Sequence, residues 1–252
     1  MCSALVHQLI SPVQIRAKAH DLNAFGYFSD KFARSVLQKL GIEEKKCSST
    51  LHGELKRRIS HCAWVDLRAR QFFETHVDAQ GIEINGGLST RFYRLSESLD
   101  WPRFSWISVN TPSVDEYLNK VFPFTDNFRH LSSQNPTAHW YRNLGHGGNK
   151  KRFVIFSENA PFTTETAVIE ALGPLVSLCE QQCCDIDVVL CHTLRNLGTT
   201  LNLLRAEIHI LSFFNSNATR PIDYLLYPKT LFRRRYLSHH LRIEAPMQGV
   251  RP

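Results

Sequence analysis

The chain has 252 residues, of which 43% are hydrophobic and 21% charged, a balance that excludes a disordered or fibrous chain and suits one large α/β domain with a substantial core. No window approaches 18 consecutive apolar residues, which excludes a membrane-spanning helix. The formal charge of +7 would admit a polyanionic partner. Its excess, however, sits largely in LKRRIS (55–60) and LFRRRYLSHHLR (231–242), which read as solvated helix faces.

In chain order, the first 75 residues read as helices. DKFARSVLQKLG (30–41) has apolar positions at helical spacing, Asp30 near its start and Gly41 as a stop. HGELKRRISHCAWVDLRARQFFETHV (52–77) also favours helix, with Trp64, Leu67 and Phe72 along one side. The texture then changes. GIEIN (81–85) is a short strand, and RFSWISVN (103–110) a second one, ended by Thr-Pro. PSVDEYLNKVF (112–122) is a helix with Pro112 in its first turn, where a missing amide hydrogen costs little. FRHLSS (128–133) and KRFVIFSEN (151–159) are the third and fourth strands. A helix over 163–181, the strand DIDVVLCHT (185–193), a helix over 194–205 and the strand AEIHILSFF (206–214) complete the alternation. YPKTLFRRRYLSHHLR (227–242) reads as an amphipathic terminal helix with Leu231, Tyr236 and Leu241 inward, and Ser238, His239 and His240 at the surface.

Strands alternating with helices at this spacing predict a mainly parallel sheet covered on both faces. No repeat, low-complexity tract or linker divides the chain, so a single domain over 1–252 is expected: a helical cover over 1–78 and a Rossmann-like core over 79–252. The seven cysteines are odd in number and most lie beside apolar runs, which suggests free buried thiols in a reducing compartment. The short apolar start has no basic lead-in, so an unprocessed, cytoplasmic chain is expected. Cys179, Cys183, Cys184, Cys191 and His192 lie close together, but their spacing fits no common zinc pattern. No Gly-x-Ser-x-Gly elbow is present for a serine hydrolase.

In a parallel sheet the ligand crevice lies off the carboxyl ends of the strands. The tips there are Asn85-Gly86-Gly87, Asn110, Ser132-Ser133 and Ser157-Glu158-Asn159. A strand that ends in glycines lets backbone pass close to a ligand, with no side chain in the way.

These tips, taken together, resemble the leucine carboxyl methyltransferase family, which includes the polyketide O-methyltransferases of the tetracenomycin type. INGGLSTRFYRL (84–95) is similar to that family's glycine turn, L-G-A-G-L-D-T-R-x-Y-R-L. FGYFSDKFARSVLQKL, LRARQFFE, WISVNTPSVDEYL and FVIFSENAPFTT follow the order of its other segments, and the resemblance covers roughly residues 20 to 195. It implies a class I methyltransferase sheet and S-adenosylmethionine as cofactor, with its methionine end at the turn. It further implies that Arg68 pairs with the cofactor carboxylate by a fork-shaped, charge-assisted contact; Arg70, two positions on, could take that role instead. Arg91 and Ser89 are expected to be structural.

The chain departs from the pattern at several of these positions. Asn85 replaces the first glycine, and Asn110 the acid that accepts the ribose hydroxyls. Only Ser133 and Gln134 stand near the adenine position, and Glu158 is followed by Asn159 rather than glycine. An amide can bond both ribose hydroxyls, without the strength of a carboxylate. The cofactor set is therefore Arg68, Asn85, Gly86, Gly87, Asn110, Ser133 and Glu158, with Tyr93, His139 and Trp140 as pocket residues by position. The expected function is O-methylation of a carboxylate or hydroxyl on a small secondary metabolite. One alternative is a degenerate methyltransferase fold serving as the binding or scaffold partner of a biosynthetic enzyme. A weaker alternative, an RNA-directed methyltransferase or RNA binder, rests only on the +7 charge and the basic C-terminal stretch.

Overall fold

The computed structural model describes residues 4–22, 26–42, 52–99, 103–123, 125–137, 140–143, 150–156, 162–182, 184–194, 196–204, 206–215 and 237–245. Three helices come first: α1 (Ala4–Asp21), α2 (Lys31–Lys39) and α3 (His52–Thr75). Asp30 caps α2, its carboxylate accepting the Ala33 amide hydrogen at 3.0 Å, which satisfies one of the open donors at a helix start. The sheet elements follow: β1 (Gln80–Ile84), α4 (Arg91–Ser98), β2 (Ser105–Asn110), α5 (Pro112–Val121) and β3 (Phe128–Ser132). Then come a short 3₁₀ turn (Trp140–Asn143), β4 (Arg152–Phe156), α6 (Glu165–Gln182), β5 (Ile186–His192), α7 (Leu197–Asn202), β6 (Ile208–Asn215) and β7 (Leu237–Ile243).

The seven strands form one sheet in the order β3-β2-β1-β4-β5-β7-β6. β1 to β5 are parallel to one another, while β7 runs antiparallel between β5 and β6. This is an α/β, Rossmann-like sheet, mainly parallel. β1, β4 and β5 are buried along their whole length, as strands covered on both faces must be. Along β4 the side chains alternate: Phe153 and Ile155 join the core beneath the N-terminal helices, and Val154 and Phe156 the core beneath α6. The first core also holds Val65, Ala69, Phe72 and Phe73 of α3 with Phe92, Trp106 and Phe128. The second is built on Val168, Leu172 and Leu175 of α6 with Leu241 and Ile243 of β7.

Three expectations are corrected. Residues 237–243 are an internal strand, not the end of an amphipathic helix. Ser238 and His240 are buried, because the face of β7 that carries them packs against His61 of α3 and Phe153; residues 227–236 of the predicted helix lie outside the described residues. On α3 the inward face is the one through Val65, Ala69 and Phe72, which leaves Leu67 exposed. The helix predicted over 194–205 is shorter, Leu197–Asn202, and is capped by the Asn196 side chain. Four described cysteines, Cys62, Cys179, Cys184 and Cys191, are buried. Among the described residues no helix is long and apolar enough to cross a membrane.

Candidate functional site

The order of the parallel strands reverses between β1 and β4, because β2 and β3 lie to one side and β5 to the other. Such a switch point opens a crevice at the carboxyl ends of the two strands. The segment after β1 turns there. Asn85 and Gly87 have φ of 56° and 59°, the left-handed region that asparagine tolerates and glycine adopts freely. At Gly86 a Cβ would stand 2.8 Å from the Glu83 side chain, so the backbone passes too close for any larger residue.

Asn110, at the end of β2, closes this turn. Its Oδ1 accepts the Gly87 amide hydrogen at 2.9 Å, and its Nδ2 donates to Ser108 Oγ at 2.9 Å. The side chain is fully buried. Asn85 donates its amide hydrogen to the Val109 carbonyl, and Ser133, just past β3, donates its own to the Asn110 carbonyl. Asn85, Gly86, Gly87, Asn110 and Ser133 therefore meet at the carboxyl ends of three adjacent strands.

Beneath the turn lies a buried ionic cluster. Asp30, Asp66 and Glu83 face Arg16, Arg91 and Arg94, three negative charges against three positive. Arg94 donates to Asp30 at 2.6 Å and to Asp66 at 2.8 Å, and Arg91 donates to Asp66 at 2.7 Å and also to Glu83. Ser89 Oγ donates to Glu83 at 3.0 Å, and Thr90 Oγ1 to Asp30 at 2.5 Å. Arg16 reaches from α1 to bond Asp30 at 3.1 Å and the Leu88 carbonyl at 2.9 Å. Burial raises the Asp30 carboxyl, but Arg94, Arg16 and the Thr90 and Ala33 hydrogen bonds outweigh it and hold the group below the usual carboxylate range. Burial would discharge Arg94, yet Asp66, Cys62 and Asp30 keep it firmly cationic. The turn is thus clamped from below by the helical cover.

Arg68 stands apart from these groups, on α3. Its Nη1 donates to Gln71 Oε1 at 3.0 Å and its guanidinium lies over the Trp64 ring. Its Nε is buried without a hydrogen-bond partner. Arg70 pairs with Glu74 one turn on. Glu158 and His139 lie outside the described residues. Tyr93 packs within the aromatic core against Phe92, Phe122 and Phe128, where burial pushes its hydroxyl up to about 12. Trp140 is fully buried in the second core. A groove of about 630 Å³ runs along the outer side of the clamp, lined by Tyr27, Phe28, Trp64, Asp66 and Leu95 among others; Arg70, the alternative to Arg68, lines it, and the other predicted cofactor residues do not.

Sequence reasoning passed over Asp66, Glu83, Arg16 and Arg94. Glu83 did carry a signal, since a lone acid inside an apolar strand needs a buried partner. At the carboxyl end of β5, His192 Nδ1 accepts the Leu194 amide hydrogen at 3.1 Å. That nitrogen is then unprotonated, so Nε2 carries the proton and donates to His239 Nδ1 at 2.9 Å. Burial, with His239 second, depresses His192 to about 4.

No family model and no curated protein matches the chain. Among solved structures it is similar to a Thermobifida fusca protein assigned as a methyltransferase, at 10% identity, covering 92% of this chain and 94% of that one, with a TM-score of 0.49. It is also similar to a Galdieria sulphuraria protein assigned as a sarcosine dimethylglycine methyltransferase, at 10% identity, 86% and 99% coverage and a TM-score of 0.46. TrmK of M. capricolum, solved with S-adenosyl-homocysteine, gives 10% identity, 72% and 71% coverage and a TM-score of 0.42.

Proposed function

We propose that the chain is an S-adenosylmethionine-dependent O-methyltransferase acting on a carboxylate or hydroxyl of a small secondary metabolite. The observation that carries this reading is the turn at the switch point. Gly87 is left-handed and anchored to Asn110, and Gly86 has no room for a side chain, so bare backbone forms the turn at the carboxyl end of β1. The donor set fits the cofactor in part. Arg68 has a guanidinium Nε without a partner and would hold a carboxylate; residues 85–87 would line the methionine end. Ser133 and Glu158 would complete the nucleoside side.

When bound, the cofactor supplies an electrophilic methyl group on a sulfonium. The protein's part is to align the acceptor oxygen with that methyl and to exclude water, which is worth more here than acid–base chemistry. Arg68 and the backbone of residues 85–87 would hold the cofactor that supplies that methyl to the acceptor oxygen. A carboxylate acceptor has no proton to lose.

One observation favours a second reading, a domain that keeps the fold and serves as the partner of a biosynthetic enzyme. Both ends of the Asn110 amide are engaged within the protein, which leaves β2 with no free acid for a ribose. Calorimetric titration with S-adenosylmethionine, and separately with S-adenosylhomocysteine, decides between them. The enzyme reading expects micromolar binding that falls at least tenfold in Arg68→Ala and Gly87→Val, both checked for folding by circular dichroism. No binding at millimolar ligand would sink it and leave the scaffold.

A further inference from the structure

At the opposite edge of the sheet, Glu207 just precedes β6 and Glu244 just follows β7. Their backbones continue the β6–β7 ladder, the Glu244 amide donating to the Glu207 carbonyl at 3.0 Å one step beyond the Ile208–Ile243 pair. Two carboxylates directly opposite each other on adjacent strands repel. His209 is two residues beyond Glu207, hence on the same face of the strand. Its Nε2 stands 3.6 Å from Glu207 Oε1 and 3.7 Å from Glu244 Oε2. Both distances are too long for hydrogen bonds and are ion pairs only when the imidazole is protonated, while the three groups converge on a common point. The three donor atoms all lie within 4.8 Å of one another. With bonds of about 2.0–2.1 Å, two ligands of a tetrahedral zinc ion stand about 3.4 Å apart. The cation on the facing strand, Arg242, gives its hydrogen bonds to Asp187, at 2.7 and 3.0 Å, and reaches Glu244 only through its charge.

We infer that Glu207, His209 and Glu244 form a site for a divalent transition-metal ion of the zinc type, with water in the fourth position. One imidazole and two carboxylates suit such an ion better than calcium or magnesium, which prefer all-oxygen shells. The ion neutralises the facing glutamates and fastens β6 to β7, on the near side of the irregularity between Ile210 and Ser212. The site is exposed and lies at the amino-terminal edge of the parallel strands, away from the glycine turn, so it does not depend on the methyl-transfer reading.

The test is a cobalt(II) titration of the full-length protein followed by visible absorption. We expect one equivalent to bind with the visible band of tetrahedral nitrogen–oxygen coordination, and zinc to displace it. His209→Ala and Glu244→Gln are expected to weaken uptake at least tenfold while melting like wild type in metal-free buffer. Uptake marked by the near-ultraviolet thiolate band would overturn the site, since the ion would then sit on cysteines. No stoichiometric uptake, or equal uptake by both variants, would overturn it as well.

Discussion

Gly87 and Asp30 show how single residues set the shape of the turn. Gly87 holds φ of 59°, and a Cβ there would touch Leu9 Cδ2 at 3.0 Å. Gly87→Ala is expected to cost about 1–2 kcal/mol from the left-handed backbone alone, measured as a lower urea midpoint at unchanged slope. Asp30 matters more. It is completely buried, caps α2 and faces two guanidiniums. Asp30→Asn keeps the cap but leaves Arg16 and Arg94 short of a counter-charge, so about 3–5 kcal/mol should be lost. The pH dependence has a defined sign. The folded carboxyl titrates below the 3.8 of an unperturbed aspartate, so its contribution is present above that value and is lost as pH falls through the lower, folded one. Acid unfolding of Asp30→Asn should accordingly show a weaker pH dependence below pH 4 than wild type. The sequence displayed Asp30 only as a helix start; its second role depends on Arg94, 64 residues away, and spacing along a chain carries no trace of that.

At the scale of elements, the strands that sequence predicted are those that alternate or run apolar, and β7 escaped for a physical reason. LSHHLRI is polar to the eye, yet its polar groups are satisfied inside the protein. Ser238 bonds His61 at 2.7 Å, His240 bonds Asp187 at 3.1 Å, and His239 bonds His192. A strand whose partners are side chains from distant elements has no hydrophobic pattern to betray it. The basic run ahead of it extended the helical reading across its start. The same bonds make the β5–β7 seam sensitive to acid. His192 is held neutral, with a folded value of about 4 against 6.5 for a free histidine. The unfolded chain therefore takes up the proton first, and stability falls as pH drops from 6.5 towards 4. At pH 5 the loss should be about 2 kcal/mol relative to pH 7. Denaturant midpoints at the two values should differ accordingly. In His192→Phe the difference should shrink, whereas an unchanged difference would assign the titration to another group.

For the whole molecule, the sequence suggested a boundary near residue 78, between helical cover and core. The charges cross it. Arg16, Asp30 and Asp66 come from the cover; Glu83, Arg91 and Arg94 belong to the core, and neither half is neutral without the other. The apolar layer crosses it too: Phe73 of α3 packs on Phe104 at 4.3 Å between ring centroids, and Phe72 on Phe153 at 5.2 Å. Stripping the cover would expose the part of the sheet face that α1 and α3 bury and leave two buried arginines against a single carboxylate. The fragment 79–252 is therefore expected not to unfold cooperatively. Far-ultraviolet circular dichroism on heating should show a broad, featureless change where the full chain gives one transition, and 1-anilinonaphthalene-8-sulfonate should bind the uncovered face. A fragment that melts sharply and leaves the dye unbound would show that the core stands alone. The clamp under the glycine turn would then be an accessory to the site and not its foundation.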